Sequence, residues 1–389
     1  MNKLEISHVE TVIVDLPLKR LQRFSALGSR TQSVVMVFVQ TAEGVQGIGE
    51  SVTPSGPWWS GESVETIKVI IDTYLAPLLI GANAFDLTRL MATMDKQVYA
   101  NRFAKAGVEM ALLDAVGKAL DVPVHSLFGG KVRDSLPVAW PLATGDPEQE
   151  IGEAEQMLAD GYARNFKLKM GAVDADTDVA RALRIARALE GRARVRVDPN
   201  ESWDEATAAR AIPQLADGGI EMVEQPLPRW NLAGSARLTA SSRIPIMLDE
   251  SICTSHEMQE AARLHAGSIV SLKIMKAGGM RATRAMADIA TAGGVILYMG
   301  TFLESSFGTG ANMQLCATLA DLPLGGELVG PLLLAEDICE RRAEYRDYQL
   351  WLQDGAGLGV HVDADKLKAF RRDRAYSSHG AGSTARQAS

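Results

Sequence analysis

From about residue 136 onward, short apolar runs alternate with stretches of helical period. The runs are VAWPLA, FKLKM, VRVDPN, MVEQPL, PIMLDES, IVSLKIMK and VILYMGT. Between them lie patterns such as DVARALRIARALEG and WDEATAARAIPQLADGG. Repetition of this kind leaves few solutions, because each strand must be joined to a parallel neighbour through a crossover helix. Seven or eight such units in about 200 residues fit a closed barrel. The competing doubly wound sheet would carry a glycine-rich phosphate turn after its first strand, and only the weak look-alike Lys276-Ala277-Gly278-Gly279 is present.

The first part of the chain has a different texture. Residues 4 to 50 alternate apolar and polar, and Ala42-Glu43-Gly44 reads as the turn of an antiparallel hairpin. ESVETIKVIIDTYLAPLL and AKAGVEMALLDAVGKAL follow with helical spacing. The expected organisation is an α+β N-terminal capping unit over 1–130 and a barrel over 131–331. A segment over 332–375 returns to the first unit, and a small polar tail over 376–389 is expected to be disordered.

Composition removes several function classes. A net charge of −8 argues against general nucleic-acid binding. No apolar run reaches the ~18 residues of a membrane span, and MNKLEISHVETV lacks the apolar core of a secretory signal. Cys253, Cys316 and Cys339 are scattered, with neither zinc spacing nor a disulfide framework. A cytoplasmic location is expected. No GxSxG elbow or HExxH helix occurs either.

The last charged residue of each barrel run carries the chemistry. In FKLKMG, period-two alternation sends Lys167 and Lys169 to one face and Phe166 and Leu168 to the other. The following runs end in Asp198, Glu224, Asp249 and Lys273. The acids recur at about one barrel repeat, and strand C-termini build the site in such barrels. A single Asp after a strand is more often a helix N-cap. Three carboxylates in one register are harder to dismiss, because at about 4 Å each unpaired couple repels by roughly 4 kcal/mol at an effective dielectric of 20. A divalent cation removes that cost, and all-oxygen ligands suit Mg²⁺ or Mn²⁺. The cation would polarise a substrate carboxylate and hold the enediolate formed when an α-proton leaves or arrives. Crowding of the two amines is expected to lower the pKa of Lys169, the acid/base, with Lys167 tuning it and Lys273 facing the substrate's other side.

At FKLKMG, VRVDPNESW, EMVEQP, PIMLDES, SLKIMKAGG and GGELVGPLLLAED, together with NRFAKAGVEMALLDAVGKAL, the chain resembles the muconate lactonizing enzymes (muconate cycloisomerases) of the enolase superfamily. The resemblance covers about residues 5 to 372. It implies an α/β fold: a modified TIM barrel of (β/α)7β type under an α+β capping domain formed by the N-terminal region and C-terminal segment, usually assembled as an octamer. It further implies Mg²⁺ or Mn²⁺ on Asp198, Glu224 and Asp249, acid/base lysines at Lys169 and Lys273, and Glu327 on the eighth strand. The implied reaction is reversible lactonization of cis,cis-muconate, a small dicarboxylate, to muconolactone. VILYMGT lacks the late histidine of mandelate-racemase-like members, and GGELVGP carries Glu327 where dipeptide epimerases tend to show Asp-x-Asp. Chloromuconate cycloisomerase, o-succinylbenzoate synthase, and epimerases or racemases are the same-fold alternatives. A non-catalytic binding protein on this fold is the alternative from another class, but no member of the constellation is missing.

Three features go beyond that pattern. Met299-Gly300-Thr301 stands where relatives often have Gly-Gly-Thr, and a methionine there either narrows the pocket or fills core. The loop SVTPSGPWWSGES offers Trp58 and Trp59 as a lid, or as packing against the barrel rim. The basic stretch KRLQRFSALGSR offers Arg23 and Arg30 as holders of a distal carboxylate, or a solvated loop.

Overall fold

The computed structural model describes residues 4–24 and 27–372; the tail over 376–389 lies outside them. No helix among the described residues is long and apolar enough to cross a membrane. Strands β1 (Ile6–Phe24), β2 (Leu27–Thr41) and β3 (Gln46–Val52) form an antiparallel sheet in that order. The β2–β3 turn passes through Gly44 at φ +85°, a conformation that favours glycine. The helix Arg102–Leu120 lies against β3 and is buried on nearly every side. That suits its all-round Ala, Gly, Leu and Val content, because one face meets the sheet and another the barrel. Contact with β3 is close enough that a Cβ at Gly47 or Gly49 would stand 2.0 Å from a carbonyl oxygen of the helix.

After β4 (Ser135–Pro137) comes an all-parallel sheet. Its strands are β5 (Ala139–Leu142), β6 (Asn165–Lys169), β7 (Arg194–Asp198), β8 (Val223–Glu224), β9 (Ile246–Leu248), β10 (Ile269–Leu272) and β11 (Ile296–Met299). Neighbours in sequence are neighbours in space, from β5 at one edge to β11 at the other. The short stretch 325–327 joins those edges. Gly326 bridges in parallel to Val138 before β5 and to Met299 of β11, with Gly326 N–H donating to Pro137 O at 2.9 Å and Glu327 N–H to Met299 O at 2.8 Å. The eighth strand of the barrel is reduced to this contact. Side chains would not fit: a Cβ at Gly325 or Gly326 would meet backbone oxygens at 2.1 and 2.8 Å.

Strands β12 (Glu344–Arg346) and β13 (Gln349–Trp351) pair antiparallel with β4 in the order β12-β13-β4. The chain then meets N-terminal elements. Leu358 N–H donates to buried Asp114 of the long helix at 2.8 Å, and Arg372 pairs with Asp15 of β1 at 2.7 Å. The β1–β2 register breaks between Pro17 and Gln22. There Leu18 bridges to Leu334, and Arg20 reaches Glu153 at 2.8 Å and Pro141 O at 3.3 Å. Just past this irregularity Gln22 lines the cavity at the charged end of the barrel.

Candidate active site

The parallel strands deliver their charges to one end of the barrel. Lys167 and Lys169 lie on β6, Asp198 and Glu224 end β7 and β8, and Asp249, Lys273 and Glu327 immediately follow β9, β10 and the Gly326 bridge. Lys169 and Asp198 are direct register partners. Phe166 and Leu168 point the other way and are fully buried, as period-two alternation requires.

The amines and carboxylates interlock. Lys169 Nζ stands 2.5 Å from Asp198 Oδ2. Lys167 Nζ contacts Glu327, lies 2.9 Å from Glu224 Oε2 and 3.4 Å from Asp198 Oδ2. On the opposite flank Lys273 Nζ sits 2.6 Å from Asp249 Oδ2 and 4.6 Å from the centre of the Phe302 ring. Lys276, fully buried, donates to Asp249 Oδ1 at 2.7 Å and to its carbonyl at 2.6 Å.

These contacts set the charge on Lys167, the neighbour expected to tune Lys169. Burial disfavours the charged form of Lys167, but Glu224, Glu327 and Asp198 outweigh it and hold the amine well above its ordinary pKa. The residue is therefore a fixed cation among carboxylates, not half of a mutually depressed amine pair, because acids outnumber the neighbouring amines. Lys273 is raised in the same way: burial opposes, and Asp249, Glu224 and Glu250 prevail. Burial also works against the charge on Asp198 and Asp249, yet Lys169 with Lys167, and Lys273 with Lys276, hold both below the usual carboxylate range. Glu224 goes up to about 7, pushed by burial and by Asp198 and Asp249 against the pull of Lys167.

Among the described residues, no three acid, histidine or cysteine side chains stand as a ready-made metal cage; the carboxylates are turned toward the lysines. The donor set nevertheless fits a hard divalent cation. Three buried carboxylates from consecutive strands influence one another, and Glu224 Oε1 is buried with no hydrogen-bond partner. An orphaned carboxylate oxygen is costly in a protein interior, and a cation would satisfy it.

The backbone is held tightly here. Asn200, Glu201 and Gln225 follow the β7 and β8 termini with φ of +45°, +68° and +32°, a region that non-glycine residues enter at a cost of about 1–3 kcal/mol. Asn200 N–H donates to Asp198 Oδ1 at 3.0 Å, and its amide donates to Glu250 Oε1 at 3.0 Å. Gln225 accepts from Asp249 N–H at 2.9 Å and donates to Ser251 Oγ at 2.7 Å, tying the ends of β8 and β9 together.

The cavity above these groups is lined by Gln22, Trp58, Lys169, Lys273, Thr301 and Leu303, among others. Trp59 also lines it but is packed in place. It is 5% exposed, meets Phe302 edge-on at 4.8 Å, and lies under the Arg229 guanidinium at 5.3 Å. Arg229 in turn donates to Trp59 O at 3.0 Å and to Glu201 at 2.7 Å, fastening the 51–63 loop to the barrel rim. Trp58, at 37% exposure, stands at the mouth. Thr301 faces the cavity and donates to Glu304 at 2.5 Å. Met299 does not line the cavity; its side chain fills the barrel core. Arg30 is exposed and is not a lining residue, and the side chain of Arg23 lies outside the described residues. Sequence reasoning missed Gln22, Asn200, Gln225, Glu250 and Lys276. All but Gln22 stand close to a predicted charge: Asn200 two after Asp198, Gln225 one after Glu224, Glu250 one after Asp249 and Lys276 three after Lys273.

Comparison with known proteins agrees with this arrangement. Residues 8–129 match the mandelate racemase / muconate lactonizing enzyme N-terminal domain, and residues 150–366 match the enolase C-terminal domain-like family. A chloromuconate cycloisomerase of Cupriavidus pinatubonensis is 55% identical over 93% of this chain and 97% of its own. Muconate cycloisomerase 1 of Pseudomonas putida is 45% identical over 96% and 100%. The crystal structure of a muconate lactonizing enzyme from Pseudomonas fluorescens complexed with muconolactone superposes with a TM-score of 0.94 at 46% identity, covering 95% of this chain and all of that one. The chain therefore belongs to the mandelate racemase/muconate lactonizing enzyme family of the enolase superfamily, and is an enzyme of the isomerase class.

Proposed function

We propose that the chain is a cycloisomerase that closes cis,cis-muconate, or its chlorinated counterpart, to a lactone, with Mn²⁺ or Mg²⁺ held by Asp198, Glu224 and Asp249. The observation that carries this reading is the placement of Lys169 and Lys273 on opposite flanks of the three buried carboxylates, facing one cavity. When bound, the cation supplies a Lewis acid for one carboxylate of the substrate. Lys169, 23% exposed on its side chain, is the amine of the pair nearer solvent and delivers the proton to the α-carbon. Lys273, backed by the Phe302 and Trp59 rings, closes the far face of the cavity and holds its charge against the substrate. Lys167 holds the Glu224 and Glu327 carboxylates in place. Trp59 and the rim of the 51–63 loop exclude water from the reacting carbon.

The choice between muconate and a chlorinated muconate stays with the pocket, and relatives of both names match over nearly the whole chain. The test follows ultraviolet loss of cis,cis-muconate and of 2- and 3-chloromuconate in Mn²⁺ buffer, with the product read by NMR in deuterium oxide. Lactone carrying one deuterium at the α-carbon is expected. Lys169→Met should lower turnover about 10²–10⁴-fold while leaving Mn²⁺ binding intact by calorimetry. Exchange of α-hydrogen without ring closure would move the assignment to an epimerase or racemase, and full activity in Lys169→Met would remove that lysine's role.

A further inference from the structure

The end of the barrel opposite the lysines and acids is a second polar site. Its cleft, of about 520 Å³, is lined by Arg164, Arg192, Arg194 and Arg196, with Asn165, Pro137, Pro323 and Leu324 and no acidic residue. These residues begin β6 and β7 or precede β5 and the Gly326 bridge, so they gather where the parallel strands start. At about 3.3 Å per residue, Arg194 lies roughly 13 Å along β7 from Asp198.

Arg196 is the informative member. It is 1% exposed, yet Nε and Nη1 have no hydrogen-bond partner. Only Nη2 is engaged, at 2.9 Å from Glu221 Oε2, while the guanidinium lies over the Tyr298 ring at 5.3 Å. Two buried, unpaired donors on a permanent cation are expensive unless something accepts from them. Around them the charge is unbalanced. Glu221 is shared between Arg194, at 3.0 Å, and Arg196, and Arg192 is taken by Glu155 at 2.6 and 2.8 Å. Arg164 has no carboxylate partner among the described residues and lies against Tyr348 at 5.6 Å. Four guanidinium groups facing two carboxylates leave a surplus of two positive charges.

We infer that this cleft binds a small doubly charged oxyanion of phosphate type, held by the free donors of Arg196 and by Arg164. Guanidinium forks match the geometry of phosphate oxygens, the surplus charge matches a dianion, and the room exceeds that needed for one free phosphate. The anion is therefore either inorganic phosphate or the phosphoryl group of a small metabolite.

The experiment titrates inorganic phosphate, and separately glycerol 3-phosphate, into the full-length Mg²⁺-loaded protein by calorimetry at ionic strength fixed with sodium chloride. Saturable binding is expected in the wild type and in Lys169→Met, whose substitution lies at the other end of the barrel. Arg164→Gln should weaken it about tenfold or more, with turnover in phosphate-free buffer unchanged. Arg196→Met should abolish it, and Arg164→Gln keeps the test open if that buried substitution prevents folding. The tighter of the two probes tells free phosphate from a phosphoryl group. No saturable heat with either probe would overturn the inference, leaving water as the partner of Arg196. Wild-type affinity in Arg164→Gln, or loss of binding in Lys169→Met, would overturn it equally.

Discussion

Glu50 on β3 is fully buried where the capping sheet meets the barrel, and no cation pairs with it among the described residues. It accepts from Ser305 N–H at 2.9 Å, from the Ser305 hydroxyl and from Gly308 N–H at 3.2 Å, at the start of the helix Ser306–Cys316. Burial raises its pKa from 4.5 to about 7; the Ser305 bonds resist and the charges of Glu304 and Asp337 add to the rise. The sign follows from linkage. Between those two values the folded protein holds a proton that the unfolded chain releases, so stability is full below 4.5 and is lost as pH climbs to about 7. At about 1.4 kcal/mol per pH unit, the interval from 4.5 to about 7 bounds the loss at about 3 kcal/mol. Glu50→Gln imitates the protonated carboxyl and should cancel this dependence. For a chain of this length 3 kcal/mol corresponds to about 4 °C in melting temperature. Scanning calorimetry at pH 5 and pH 8 should show the variant holding its melting temperature better than the wild type by up to that amount. Parallel pH profiles for the two proteins would refute the reasoning, since they would mean Glu50 titrates alike in the folded and unfolded states.

Two further outcomes follow from buried charge. Arg181→Met strips the partner from Glu150, at 2.5 Å, and from Asp178, at 2.9 Å, and removes the donor to Lys169 O at 2.6 Å; it should cost about 3–5 kcal/mol in urea unfolding, and a change under 1 kcal/mol would show that the network contributes little. Asp198→Asn keeps the acceptor for Asn200 N–H but removes a charge from the carboxylate set; Mn²⁺ affinity by calorimetry should fall at least about tenfold with the fold intact by circular dichroism, and unchanged affinity would place the cation elsewhere.

Much of this protein was legible in order along the chain. Strand–helix repetition foretold a parallel sheet, and the register of Lys167, Lys169, Asp198, Glu224, Asp249 and Lys273 foretold one charged end, because residues two apart share a face and parallel strands point the same way. Family motifs carried the rest of that reading. Hidden from it was everything that depends on distance between residues far apart in sequence. Lys167 was expected to act as an amine tuning Lys169 and is instead raised by carboxylates, because their number around it comes from β7, β8 and the Gly326 bridge together. Trp59 offered itself as lid or packing, and Arg229, 170 residues away, fastens it.

By itself, then, the sequence determined which elements form and which end of each strand is charged, since backbone periodicity and burial pattern are local properties. Only tertiary structure decided the balance of charge at each end of the barrel. That includes the amines facing Asp198 and Asp249 and the unpaired donors of Arg196. Coulombic and desolvation energies depend on separations and burial that closure of the sheet at Gly326 creates.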